Sequence, residues 1–185
     1  MLNLQKKLKE QREKQNGPRS GAGAREACSI RDRLLMTEVQ QLPSALPPGC
    51  RIEFPTSEFH TFLVIVTPTE GLYAGGCFRF EVIVPPEYNF EPPSVKCLTK
   101  VLHPNISEAG SVCLSVLRSL SVDGMGWNPA RGIKDVVLGI YALFGDLIDF
   151  NDPLNHDAAS LYQRDPSEFR MKVREYIRKH CNRPI

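Results

Sequence analysis

Long apolar runs are missing from this 185-residue chain. The longest stretch free of charged and strongly polar residues is Val136–Gly145, well short of the roughly 20 residues that cross a bilayer. The N-terminus also lacks the apolar segment of an export signal. No membrane association is expected. Six cysteines, at 28, 50, 77, 97, 113 and 181, include no C-x-x-C pair, which speaks against a structural zinc site. Without an export signal, and with enough chain to bury its own core, they are expected as reduced thiols in the cytoplasm and nucleus. Neither sign of charge dominates: 23 Lys+Arg against 21 Asp+Glu leave a net charge of +2. A dedicated nucleic-acid binder normally carries a basic face, so that class is disfavoured. The Gly21-Ala22-Gly23-Ala24 segment lacks the Lys-Ser/Thr end of a phosphate-binding loop. Neither a bound cofactor nor a metal is expected.

What is present divides at Ser29. Residues 1–28 carry seven basic and three acidic side chains, and the remainder sixteen and eighteen. A +4 segment is thus joined to a −2 body. The first segment has Met1, Leu2, Leu4 and Leu8 among Lys, Gln, Glu and Arg, then Gly- and Ala-rich linker composition. It reads as a flexible basic docking tail that folds when a partner offers a groove. Its charge suits an acidic protein surface. Residues 29–185 read as one folded domain, since 42% hydrophobic content supports a core.

The body reads as α+β. Ser29-Ile30-Arg31-Asp32 resembles a capping box. Ile30, Leu34, Leu35, Val39 and Leu42 then predict a helix over 29–42, ended by Pro43. Strands are predicted at 51–54, 61–67, 78–84 and 95–98. The short turn-rich connections favour an antiparallel meander. Apolar spacing predicts a helix over 133–148. Asn155 and Asp165-Pro166-Ser167-Glu168 are predicted to start two more, ending near 162 and 180.

Between strands and helices, residues 99–132 show no strong periodicity. A loop that long in a compact domain usually has a function. It holds Cys113, eight residues after Asn105. A cysteine between Val112 and Leu114 is ordinarily a small buried hydrophobe, but its place in a turn-rich segment favours exposure. A cysteine hydrolase needs a base. Of the four histidines, only His103 is close in sequence, where a fixed turn partner is equally consistent, because Pro104 restricts it to extended geometry. A Cys97/His103/Cys113 metal site lacks the usual spacing and a fourth ligand.

The segments Tyr88-Asn89-Phe90-Glu91-Pro92-Pro93, His103-Pro104-Asn105-Ile106, Gly110-Ser111-Val112-Cys113-Leu114-Ser115, Trp127-Asn128-Pro129-Ala130 and Asp152-Pro153-Leu154-Asn155 occur in this order. Together they resemble the core signature of the ubiquitin-conjugating enzymes over about residues 29–180. The resemblance implies the family's fold: an N-terminal helix, a four-stranded antiparallel meander, a long active-site loop and C-terminal helices. It also implies an acyltransferase. Cys113 would take a ubiquitin-like modifier as a thioester from a heterodimeric activating enzyme, which consumes the ATP, and pass it to a lysine. Asn105 would stabilise the oxyanion or hold the adjacent loop. Asp152, 39 residues after Cys113, would orient the lysine, with Asn151 sharing that role, or would serve only as a turn residue. His103 and Pro104 would be structural. Phe90, Pro129 and Ala130 would contact ligases, although a core Phe90 is the alternative.

Within the family the tail, the Lys96–Lys100 stretch and an insertion at Ser119–Trp127 resemble the neddylation branch, nearest its animal F-type members. That likeness implies the neddylation modifier, a RING ligase subunit and cullin substrates. Met1, Leu2 and Leu4 would dock on the activating enzyme, and an acetylated Met1 would enter a co-ligase pocket. Ordinary ubiquitin conjugation and a catalytically silent binding module of the same fold are the alternatives.

Overall fold

The computed structural model describes residues 29–119 and 124–181. The tail with Met1, Leu2 and Leu4, and the middle of the insertion, lie outside the described residues. Helix α1 spans Ile30–Gln41, followed by a 3-10 turn at Leu42–Ser44. Strands β1 (Cys50–Glu53), β2 (Thr61–Val66), β3 (Phe78–Ile83) and β4 (Ser94–Cys97) form one sheet in the order β1-β2-β3-β4. All three pairings are antiparallel, so the expected meander is the observed topology. Helices α2 (Ile133–Ala142), α3 (His156–Arg164) and α4 (Pro166–His180) follow among the described residues.

Alternation explains where the core sits. On β3, Phe78, Phe80 and Val82 are buried and stand opposite Val66, Val64 and Phe62 of β2. Leu35 and Val39 of α1, with Val136, Val137 and Ile140 of α2, join the same cluster. Ile30 departs from its expected place. It is 69% exposed, and the buried residues of α1 are Leu35, Met36 and Val39.

Caps set most helix starts. Ser29 Oγ accepts from the Asp32 N–H at 3.0 Å, but only that half of the expected capping box is seen, since Asp32 takes Arg31 Nε at 3.0 Å. Asn155 and Asp165 cap α3 and α4 with their side chains, and Pro166 opens α4. The residue before helix α2, at its cap position, is Gly132, which has no side chain to offer. The helix terminus is capped from α1 instead: Glu38 Oε2 accepts from Ile133 N–H at 2.7 Å. The same carboxylate accepts from Tyr88 Oη at 2.8 Å. A negative group there satisfies an otherwise unpaired N–H and suits the helix dipole. A Cβ on Gly132 would lie 2.7 Å from Glu38 Oε2, so the missing side chain makes room for the borrowed cap.

The end of α2 corrects the expected 133–148. The helix stops at Ala142. The Leu143 carbonyl, which would have accepted from Leu147 N–H, is taken by His103 Nε2 at 2.7 Å. Leu147 N–H turns to Ala142 O instead. Phe144 leaves the helical path to stack on Phe78, centroids 4.3 Å apart. Apolar spacing continues to Ile148, but tertiary contacts end the helix.

Candidate active site

The His103-Pro104-Asn105 segment holds four other parts of the chain: Leu143, Asp149, Leu154–Asn155 and Cys113. Asn105 N–H donates to His103 Nδ1 at 2.9 Å, which fixes the lone pair there. The proton therefore sits on Nε2, which donates to Leu143 O. Pro104 O accepts from both Leu154 and Asn155 N–H at 2.8 Å. Asn105 Nδ2 donates to Asp149 O, and Asn105 Oδ1 accepts from Asp149 N–H, each at 2.9 Å. Finally, Asn105 O accepts from Cys113 N–H at 2.9 Å.

His103 is fully buried and stacked on Tyr73, centroids 5.1 Å apart. Burial pushes its pKa down to about 4 from 6.5, against the opposing pull of the Leu143 carbonyl. Both ring nitrogens are committed, so it holds the loop and is not placed to act as a base. A pH dependence follows. The unfolded chain takes up this proton near pH 6.5, the folded chain only near 4. The His103 contribution to stability is complete above pH 6.5 and is lost as pH falls through that window. It levels off below about 4, after a loss of about 3 kcal/mol. Urea unfolding from pH 7.5 to 4 should show the decline. A His103→Gln chain, which cannot titrate there, should show a shallower one.

Cys113 lies at the far side of this staple. Ser107 N–H bonds Ser111 O at 2.9 Å, and Gly110, at φ 86°, turns the chain where a Cβ would collide with the Cys97 carbonyl. This brings Cys113 back alongside Asn105. Leu114 is buried against Gly139 of α2, whose Cβ position is 2.8 Å from Leu114 Cδ2. A mid-helix glycine costs about 1 kcal/mol against alanine, and here it seats the residue after the thiol. Cys113 itself stays partly exposed. Cys97, by contrast, is buried, and its thiol is pushed up to about 12.

The acidic loop joins the site through a residue that the sequence reading missed. Asp149 Oδ1 accepts from Asn151 N–H at 2.7 Å and from Asp152 N–H at 3.3 Å. Asp149, not Asp152, is therefore the residue that shapes the turn, and Asp152 is exposed on it. The turn composition of Asp149-Phe150-Asn151-Asp152-Pro153 is a local signal that could have marked it. Hydrogen bonds now run from Cys113 through Asn105 and Asp149 to Asp152.

Phe90 is 78% exposed, so the core alternative is excluded for it. Its loop is tied to the Pro129 loop. Trp127 Nε1 donates to Asn89 O at 2.7 Å, and Asn89 Nδ2 donates to Pro129 O at 2.6 Å. These bonds bring the segments carrying Phe90, Pro129 and Ala130 together, all three side chains exposed. Among the described residues, no group of three or more His, Cys, Asp or Glu is arranged to hold a metal ion.

The family profile described as ubiquitin-conjugating enzyme matches residues 34–177. The chain belongs to the ubiquitin-conjugating enzyme family. It is 49% identical to the human NEDD8-conjugating enzyme UBE2F over 98% of this chain and all of that one. It is 48% identical to the Caenorhabditis elegans NEDD8-conjugating enzyme ubc-12, again over 98% of this chain and all of the relative. Among solved structures, S. cerevisiae Ubc12 superposes with a TM-score of 0.70 at 33% identity, covering 93% of this chain and 88% of that one. The family's transferase chemistry therefore has its scaffold here: a partly exposed thiol on a loop held by a buried His-Pro-Asn segment.

Proposed function

We propose that this ubiquitin-conjugating enzyme family member accepts NEDD8 from its activating enzyme as a thioester on Cys113 and transfers it to a cullin lysine with a RING ligase subunit. Near-full-length identity of about 49% to NEDD8-conjugating enzymes carries the choice of modifier. In the first step Cys113 Sγ loses its proton and attacks the modifier's C-terminal carbonyl. The new S–C bond forms as the activating enzyme's C–S bond breaks. In the second, a lysine amine attacks the same carbonyl, the C–N bond forms and Cys113 leaves as the thiolate. The amine's proton passes to solvent. Asn105 keeps the loop and the oxyanion's surroundings fixed, and exposed Asp152 orients the lysine by charge. Fixed geometry then supplies much of the rate.

Phe90, Pro129 and Ala130 are assigned to ligase contact. Residues 1–28, led by Met1, Leu2 and Leu4, are assigned to docking on the activating enzyme, with acetylated Met1 engaging a co-ligase. The expected compartment is cytoplasm and nucleus. No cofactor is assigned to the chain itself. The test is comparative charging with ATP, each modifier and its activating enzyme. A reducible adduct with NEDD8 is expected, and charging with ubiquitin alone would overturn the modifier choice. A chain lacking residues 1–28 should charge much more slowly, and unchanged charging would remove the docking role.

A further inference from the structure

Arg118 stands beside the acceptor sulfur. The chain after Cys113 makes a 3-10 turn, Ser115–Leu117, closed by Leu117 N–H to Leu114 O and Arg118 N–H to Ser115 O, both at 3.0 Å. Buried Leu114 and Val116 anchor that turn in the core. On the other side, Trp127 N–H bonds Arg118 O at 2.8 Å, and Trp127 is itself fixed to the Asn89 carbonyl. The backbone of Arg118 is therefore held from both directions. Its guanidinium Nη2 comes to 3.8 Å from Cys113 Sγ. Among the described residues, no other side chain bonds that sulfur.

We propose that Arg118 is a catalytic residue of the transfer reaction, supplying positive charge to Cys113 Sγ whenever that sulfur becomes anionic. The inference deepens the proposed function and rests on the acceptor role of Cys113. Sulfur carries negative charge twice: as the attacking nucleophile during charging, and as the leaving group when the lysine nitrogen displaces it. In the second case the C–S electron pair ends on Sγ, next to a permanently charged guanidinium. A cation already beside the site where charge develops lowers the barrier. Because Arg118 is exposed, solvent screening keeps the effect moderate, in the range of a surface ion pair.

Two measurements on Arg118→Gln and Arg118→Lys test this. The first compares alkylation of Cys113 by iodoacetate and by neutral iodoacetamide, read on the Cys113 peptide by mass spectrometry. A cation beside the sulfur favours the anionic reagent. The iodoacetate-to-iodoacetamide rate ratio should fall about threefold in Arg118→Gln and far less in Arg118→Lys. A merely structural change would move both reagents together. The second is discharge of the charged enzyme to free lysine, which should slow about threefold or more in Arg118→Gln. An unchanged ratio, or an unchanged discharge rate, would overturn the proposal. Alkylation needs neither modifier nor activating enzyme. Failure of the wild-type chain to charge would therefore count against the acceptor role of Cys113 and is read separately.

Discussion

Replacing Cys113 by alanine should abolish the reducible modifier adduct, while Cys113→Ser should trap the modifier as an ester that survives reducing agent. The thiol is marked by its place in the long loop and by the groups around it. Five described cysteines are free, so any of them is chemically available in principle. Burial pushes the Cys97 thiol up to about 12 and the Cys50 thiol up to about 11, which leaves little of the nucleophilic thiolate at neutral pH. Cys181 is raised as well, again mainly by burial. Cys113 sits in the long loop, partly exposed, with its N–H on the Asn105 carbonyl and Arg118 beside its sulfur. Cys97→Ala should therefore charge like the wild type. Because the Cys113 side chain is not buried, Cys113→Ala should unfold within about 0.5 kcal/mol of the parent. Non-reducing gels with and without thiol read the three charging outcomes, and urea unfolding reads the fourth. An adduct persisting in Cys113→Ala would move the acceptor elsewhere.

The sequence made some of this legible and hid the rest, for reasons that differ by residue. Asp165-Pro166-Ser167-Glu168 announced the start of α4 because every bond involved is local. The alternating Phe78, Phe80 and Val82 announced a half-buried strand because side-chain period alone decides it. The spacing of His103, Asn105 and Cys113 was visible through its family resemblance, but what it holds was not. Leu143 is 40 residues from His103, and Asp149 is 44 from Asn105. Backbone partners so distant leave no mark on local periodicity. The same distance effect made α2 look longer than it is, since Ile148 continues the apolar spacing after the Leu143 carbonyl has been taken. Glu38 is the extreme case. It caps a helix 95 residues away, and only the glycine at the start of α2 hinted that a cap had to come from elsewhere.

Asn105→Ala should leave charging of Cys113 nearly intact and reduce transfer to lysine by roughly 10²-fold, the size expected when an oxyanion donor or its precise support is lost. Asn105 is 4% exposed, and both ends of its amide engage the Asp149 backbone. Alanine would leave the Asp149 N–H and C=O without that partner. Because Asp149 is exposed, water can replace the lost bonds, so the stability cost should stay near about 1 kcal/mol. The large effect then falls on position: the Asp149–Asp152 turn is freed from the loop that carries Cys113. Asp149→Ala separates the two roles left open for Asn105. That change removes the carboxylate gripping Asn151 and Asp152 N–H but keeps both backbone bonds to Asn105. If Asn105 acts chiefly by holding the acidic turn, Asp149→Ala should lose a substantial part of the same transfer rate. If its amide meets the oxyanion directly, Asp149→Ala should transfer almost normally while Asn105→Ala stays impaired. Single-turnover discharge to lysine, measured for both variants at equal charging, distinguishes these outcomes. With Asn105 fixed on both sides in the resting enzyme, the holding role is the one this geometry favours.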